Sequence, residues 1–185
     1  LFVANCWDNN NSLYHNDGNG QFTKITTGDI VNDGGNSLGA SWADYDNDGD
    51  LDLYVTNASN QSNFFYENNG DGTFTRNNSA LIATEQGHSF GSSWFDADND
   101  GDLDLYVTND NGNQNRLYMN NGGGNFTIPT DIYPNEDEEN SAATAVADFD
   151  NDGDMDIFVA NNNNRPNTIY INEKGSCNAW KCFTL

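Results

Sequence analysis

Residues 44–52 read Asp-Tyr-Asp-Asn-Asp-Gly-Asp-Leu-Asp, five carboxylates in nine positions with a glycine sixth. The pattern returns at 96–104 and at 148–156, displaced by 52 residues each time. Like charges this dense repel one another unless something neutralises them. A hard divalent cation does so, and calcium in particular takes six to eight oxygens in irregular geometry. Alternate positions of a tight turn aim their side chains at one centre. Positions one, three and five therefore supply side-chain oxygens: Asp44, Asp46 and Asp48, then Asp96, Asp98 and Asp100, then Asp148, Asp150 and Asp152. Gly49, Gly101 and Gly153 permit the sharp turn. Position seven (Asp50, Asp102, Asp154) gives its backbone carbonyl, and position nine (Asp52, Asp104, Asp156) closes the site from the start of the next strand. The expected cofactor is Ca²⁺, about three ions per chain, acting as a structural clamp on a self-repelling turn.

Other readings of these turns fare worse. An EF-hand shares the first six positions but needs a bidentate Glu at position twelve. That position holds Val55, Val107 or Val159. Magnesium prefers few protein ligands and several waters. Zinc and copper want His or Cys, and neither occurs in the turns. A single such turn is also readable as a solvated acidic loop without metal, but three copies at identical spacing weigh against that.

The elements that must position these turns follow from the same period. Leu1-Phe2-Val3-Ala4-Asn5 recurs as Leu53-Tyr54-Val55-Thr56-Asn57, Leu105-Tyr106-Val107-Thr108-Asn109 and Ile157-Phe158-Val159-Ala160-Asn161. A second block, Asn-x-hydrophobic-Tyr, ends at Tyr14, Tyr66, Tyr118 and Tyr170, and a Gly-x-Phe-Thr block recurs at Phe22, Phe74 and Phe126. Repetition at this length indicates a repeat architecture. Each unit reads as four short strands. The first is rich in small residues (Gly39–Ala43, Gly91–Phe95), the Asp turn follows it, and the second alternates. Leu51, Leu53 and Val55 are expected on one face, with Asp52, Tyr54 and Thr56 on the other. An Asn/Gly turn joins the third strand to the fourth.

The expected fold is all-β, a β-propeller of four-stranded antiparallel blades, with β-sandwich and β-solenoid as the alternatives. The chain is read as one propeller segment of about 3.75 blades: a partial blade at 1–36, then blades at 37–88, 89–140 and 141–185. Because it opens inside a unit, it reads as an excerpt of a longer or processed chain. Incomplete blades offer a route to self-association.

The chain carries 29 acidic and 6 basic residues, a formal net charge of -23. Such a surface repels nucleic acid and anionic membranes, so neither is an expected partner. No apolar run is long enough for membrane insertion. Cys6, Cys177 and Cys182 make an odd count, and the sequence fits equally a small loop closed by the last two and reduced or buried thiols. Sequons stand at Asn10, Asn57, Asn60, Asn77 and Asn125, no more than this composition gives by chance. No Ser/His/Asp set, activated Cys or phosphate cradle is visible, so catalysis is not expected. Glu136-Asp137-Glu138-Glu139 reads as a solvated loop. Trp42, Trp94 and Trp180 are of a type that stacks on sugars, but inter-blade packing is the favoured role.

The pattern Gly-x-x-Trp-x-Asp-x-Asp-x-Asp-Gly-Asp-x-Asp, followed by Asn-x-Leu-Tyr-x-Asn-x-Gly-x-Gly-x-Phe-Thr, resembles the FG-GAP/VCBS repeat. Phe90-Gly91 matches the name-giving dipeptide, Leu38-Gly39 approximates it, and Ala142-Ala143 departs from it. The resemblance implies an integrin-α-like propeller, usually of seven blades, whose Asp turns bind calcium. It further implies an extracellular or secreted binding or adhesion platform for a protein or glycan. A structural subunit of an extracellular filament and a carbohydrate-binding part of an enzyme are the alternatives. The run Asn172–Phe183 is similar to the segment that follows such repeats in relatives of cartilage acidic protein.

Overall fold

The computed structural model describes residues 1–130, 133–136, 140–173 and 180–185. Its strands form four antiparallel sheets of three or four strands, in which successive strands pair, and a two-stranded ribbon of Gln61–Ser62 with Gln86–Gly87. The first has three strands, Phe2–Val3, Ser12–Gly18 and Gln21–Ile25. The second has Ser37–Ala43, Asp52–Asn57, Phe64–Asn68 and Phe74–Arg76. The third has Ser89–Phe95, Asp104–Asn109, Arg116–Asn120 and Phe126–Thr127. The fourth has Ser141–Ala147, Asp156–Asn161, Thr168–Asn172 and Trp180–Thr184. The last three sheets thus begin at serines 52 residues apart, two residues ahead of the Gly39 and Gly91 starts expected from the sequence.

The hydrophobic cores lie between sheets. Leu13, Ile30 and Val31 pack with Leu53, Val55 and Tyr66 between the first and second sheets. Tyr54 and Phe65 face Leu105, Val107 and Tyr118 between the second and third. Tyr106, Leu117 and Met119 face Ile157, Val159 and Tyr170 between the third and fourth. The period-two alternation is therefore real, but both faces are covered, and every residue of Asp52–Asn57 is buried. Leu51 departs from expectation: it precedes the strand, belongs to the turn and is 54 % exposed.

The first strands of successive sheets approach one another very closely. A Cβ on Gly39 would sit 2.5 Å from the Phe90 carbonyl oxygen and 2.9 Å from Thr56 Oγ1. A Cβ on Gly91 would meet Thr108 Oγ1 at 3.1 Å and the Ala143 Cα at 3.3 Å. Here glycine serves backbone approach, which the small-residue composition of the first strand anticipated. Where the fourth sheet places Ala143, its ladder partner is Ala160, while Gly39 pairs with Thr56. Dropping the partner's hydroxyl removes one of the two close contacts found at Gly39; the other, to the Phe90 carbonyl, comes from the following sheet.

One set of polar groups pairs across each junction between sheets. The Asn11 amide donates to Ser37 Oγ, which donates to Asn57 Oδ1. The same relay runs Asn63 to Ser89 to Asn109 and Asn115 to Ser141 to Asn161. A register shift follows the serine in each first strand. Trp94 and Trp180 are core residues, while Trp42, 37 % exposed, lies against Phe74. Asn57 is fully buried with its amide bound to the Ser62 carbonyl, so its sequon is closed to a glycan. Tyr133–Glu136 forms one helical turn at the head of the expected acidic loop; 137–139 lie outside the described residues, as does Cys177 with half of the C-terminal run. Among the described residues no helix is long and apolar enough to cross a membrane.

Crowding at the first strands sets a graded expectation. Gly39→Ala should cost about 1–3 kcal/mol, as overpacking against an unyielding backbone does. Gly91→Ala should cost less, and adding Thr108→Ala should recover part of that loss. Urea denaturation of the three variants checks the order.

Candidate metal centres

Each Asp turn joins the first and second strands of its sheet, so all three emerge at the same end of the stack. The backbone of the turn is the same each time. Asn47, Asn99 and Asn151, at position four, adopt φ of 61°, 62° and 63°. Gly49, Gly101 and Gly153 follow at 95°, 95° and 99°. No heavy atom lies within 4 Å of a Cβ built on Gly49, so conformation alone requires glycine there. Asn is the side chain that best tolerates the left-handed region.

Hydrogen bonds within the turn fold its carboxylates inward. The amides of Gly49, Gly101 and Gly153 donate to Oδ2 of Asp44, Asp96 and Asp148. Those of Asp50, Asp102 and Asp154 donate to Oδ1 of Asp48, Asp100 and Asp152. The outcome is three carboxylate triads whose oxygens lie within 4.8 Å of one another: Asp44, Asp46 and Asp48; Asp96, Asp98 and Asp104; Asp148, Asp150 and Asp156. In the second and third turns the ninth residue therefore joins the first and third, and Asp100 and Asp152 stand outside. In the first turn the fifth residue joins them, and Asp52 stands outside.

The ninth residue is also a structural bracket. Asp104 is fully buried and accepts from the backbone amides of Ala97 and Asn120. Asp156 accepts from Phe149 and Asn172 in the same way. Burial pushes the Asp104 carboxyl up to about 7, with Asp98 and Asp100 adding to the rise against those hydrogen bonds. It pushes Asp52 up to about 6. Asp46 and Asp98 are raised as well, first by burial and then by the neighbouring carboxylates of Asp48 and Asp100. Buried oxygens of Asp44, Asp52 and Asp98 have no hydrogen-bond donor. Crowded carboxylates with unpartnered, desolvated oxygens make an oxygen-only donor set that suits a hard cation.

Position seven does something the sequence reading did not assign. The Asn47 amide donates to Asp102 Oδ1 of the next turn at 3.0 Å, and the Asn99 amide donates to Asp154 Oδ1 at 2.6 Å. The side chains of Asp102 and Asp154 thus leave their own turns and tie each turn to its predecessor. A further tie runs from the Asn120 amide to the Tyr45 carbonyl and from the Asn172 amide to the Ala97 carbonyl. The signal was present in the sequence, since position four is Asn in all three turns. Its partner, 55 residues on, is visible only once the sheets stack.

Two outcomes follow. Asn99→Gly keeps the left-handed backbone and removes only the tie to Asp154, so it should cost about 1 kcal/mol by chemical denaturation. The second concerns pH. The ordinary aspartate value is about 3.9. With Asp52 near 6 and Asp104 near 7, the folded metal-free chain binds more protons than the unfolded chain between about pH 4 and pH 7. Its stability therefore falls as pH rises through that window. Melting in excess chelator from about pH 5 to about pH 7.5 should show this decline, and saturating calcium should flatten it.

A comparison with curated proteins finds no significant match. A profile of the FG-GAP-like repeat matches residues 1–55, 55–107 and 96–159, three copies that together span nearly all of the stacked sheets and their Asp turns. This chain belongs to the FG-GAP-like repeat family.

Proposed function

We propose that the chain is a calcium-stabilised segment of a β-propeller, in the manner of integrin-α-like adhesion modules, that serves outside the cell as a binding platform. The observation that carries this reading is the gathering of three carboxylates within 4.8 Å in each of three equivalent turns, with buried oxygens left without donors in the first two. Each triad would hold one ion, and Asp52, Asp100 and Asp152 would turn in to join their triads when it binds. The carbonyls of Asp50, Asp102 and Asp154 would complete the sets.

The ion supplies charge neutralisation and nothing reactive. Three of them take the formal charge from -23 to -23 + 6 = -17, which leaves the surface acidic. Millimolar calcium is an extracellular condition, and sites of modest affinity stay filled there. A stack of sheets clamped at one end presents the loops of the other end rigidly, as a recognition surface requires. We assign no catalytic role. The partner is a protein or a glycan, and further sheets completing a ring of about seven blades belong to the same reading.

Metal content and thermal unfolding in millimolar calcium, in magnesium and in excess chelator test it. About three calcium ions per chain and a calcium-specific rise in Tm are expected. A site filled at 100 times its Kd contributes about 2.7 kcal/mol. Asp98→Asn should remove one ion and leave two. A metal-free chain with the same Tm in all three buffers would sink the reading.

A further inference from the structure

The second and third Asp turns are each held to the turn before them at two points. One is the side-chain amide of position four: Asn47 donates to Asp102 Oδ1 and Asn99 to Asp154 Oδ1. The other runs through a buried asparagine that ends the third strand of the sheet. Asn120 donates its backbone amide to Asp104 Oδ1 and its side-chain amide to the carbonyl of Tyr45, position two of the preceding turn. Asn172 bridges Asp156 and the Ala97 carbonyl in the same way. Positions seven and nine of a turn are therefore both oriented by its predecessor.

The first turn supplies a comparison within the molecule. Among the described residues, none outside its own sheet donates to Asp50 or Asp52. Asn68, the counterpart of Asn120, gives its side-chain amide to the Leu51 carbonyl of its own turn. There the triad is Asp44, Asp46 and Asp48, and the ninth residue stands apart. In both tied turns the ninth residue joins the first and third. The three turns share their aspartate spacing and their left-handed angles. The place of the ninth carboxylate thus goes with the links between turns.

We infer that Asn47 and Asn99 are positioning residues for the calcium site of the following repeat, not for the site in whose turn they stand. A dication offsets two charges, and each turn carries five carboxylates. Held outward by Asn99, the Asp154 side chain withholds its charge from the third site, and position seven is left to offer its carbonyl, as that position does in other calcium loops. Groups that orient a metal's ligands without touching the metal commonly govern affinity by about 10–100-fold. Backbone conformation alone does not call for asparagine here, since glycine adopts the same left-handed angle and brings no donor. The Asn99 tie is the better placed of the two: it is 2.6 Å long and its acceptor, Asp154, is buried. This role rests on the calcium reading of the turns and assigns further residues to it.

The test titrates calcium by calorimetry into whole chains that keep one turn intact. Asp46→Asn with Asp98→Asn leaves the third turn, and Asp46→Asn with Asp150→Asn leaves the second. Adding Asn99→Gly should weaken calcium at the third turn about tenfold or more, and leave the second turn, which contains Asn99, within about twofold. Asn151→Gly is the control. It stands at the same turn position with φ 63° and donates to no neighbouring turn among the described residues, so the third turn should keep its affinity within about twofold. Asn99→Asp sets a carboxylate against Asp154 and should also weaken the third turn, whereas added negative charge alone would strengthen it. Circular dichroism in chelator verifies folding. Where a single intact turn does not sustain it, the same comparison is made with Asp46→Asn alone, and Asn99→Gly should then weaken one of two binding steps. A third turn indifferent to Asn99→Gly, an equal loss at both turns, or an equal loss with Asn151→Gly overturns the inference. A parent chain that takes up no calcium refutes the calcium reading together with it. Three ions bound, with the third turn indifferent to Asn99→Gly, refute the positioning role alone.

Discussion

No sheet in this chain owns a core. Four short strands cannot enclose apolar side chains, so each sheet buries both faces against its neighbours or not at all. Tyr54 of the second sheet belongs with Leu105 and Tyr118 of the third, and Tyr106 of the third with Ile157 and Tyr170 of the fourth. Everything else in the fold follows from the stacking this imposes. First strands crowd until only glycine or an alanine pair fits. A polar side chain buried between sheets gains by finding its partner on the next repeat, because a buried orphan costs more than the bond returns. The Asn-Ser-Asn relay is that partnership, repeated at each junction.

Stacking also creates the electrostatic problem that the Asp turns answer. A chain with one acidic turn could leave it in water. Here equivalent turns lie side by side at one end of the stack, close enough for Asn47 to reach Asp102 and Asn99 to reach Asp154. Repulsion within a turn then adds to repulsion between turns, with screening reduced wherever carboxylates are desolvated. Position four resolves part of this by donating a neutral amide to the neighbour's carboxylate. Under the proposed function a cation would resolve the rest inside each turn. The side chain that lets the backbone turn left-handed is the same one that ties adjacent turns together, which accounts for Asn at that position better than turn propensity alone does.

Much of this was legible in the sequence because a strict period carries information that a single strand pattern does not. The register, the turn positions and the alternation of Leu53, Tyr54 and Val55 all follow from superposing the units. What the sequence concealed involved pairs from different repeats. The exposed position of Leu51 depends on where the ladder starts, and the ladder begins only at Asp52. The division of labour between the fifth and ninth aspartates differs between the first turn and the other two, although their spacing is identical. Asp102 reads as a member of its own turn until the stacking shows it bonded to the one before. The repeats disagree most at the end opposite the Asp turns, as where Trp7 aligns with Ser59, Asn111 and Asn163.

That disagreement has a direction. At the Asp-turn end and along the inter-sheet relay the repeats agree almost residue for residue, since stacking leaves little choice. At the opposite end they diverge. Trp7 stands for Ser59, Asn111 and Asn163, and Asp33 for Glu85. The acid at that position still takes a tyrosine hydroxyl and an arginine, but the arginine comes from the fourth strand in one case (Arg76) and from the third in the other (Arg116). A pairing kept while its residues are exchanged preserves charge balance between the sheets and changes the shape of the surface there. An architecture whose energetics are settled by one end and by the junctions leaves the other end open to that variation, and there each repeat presents a different set of groups on the same rigid frame.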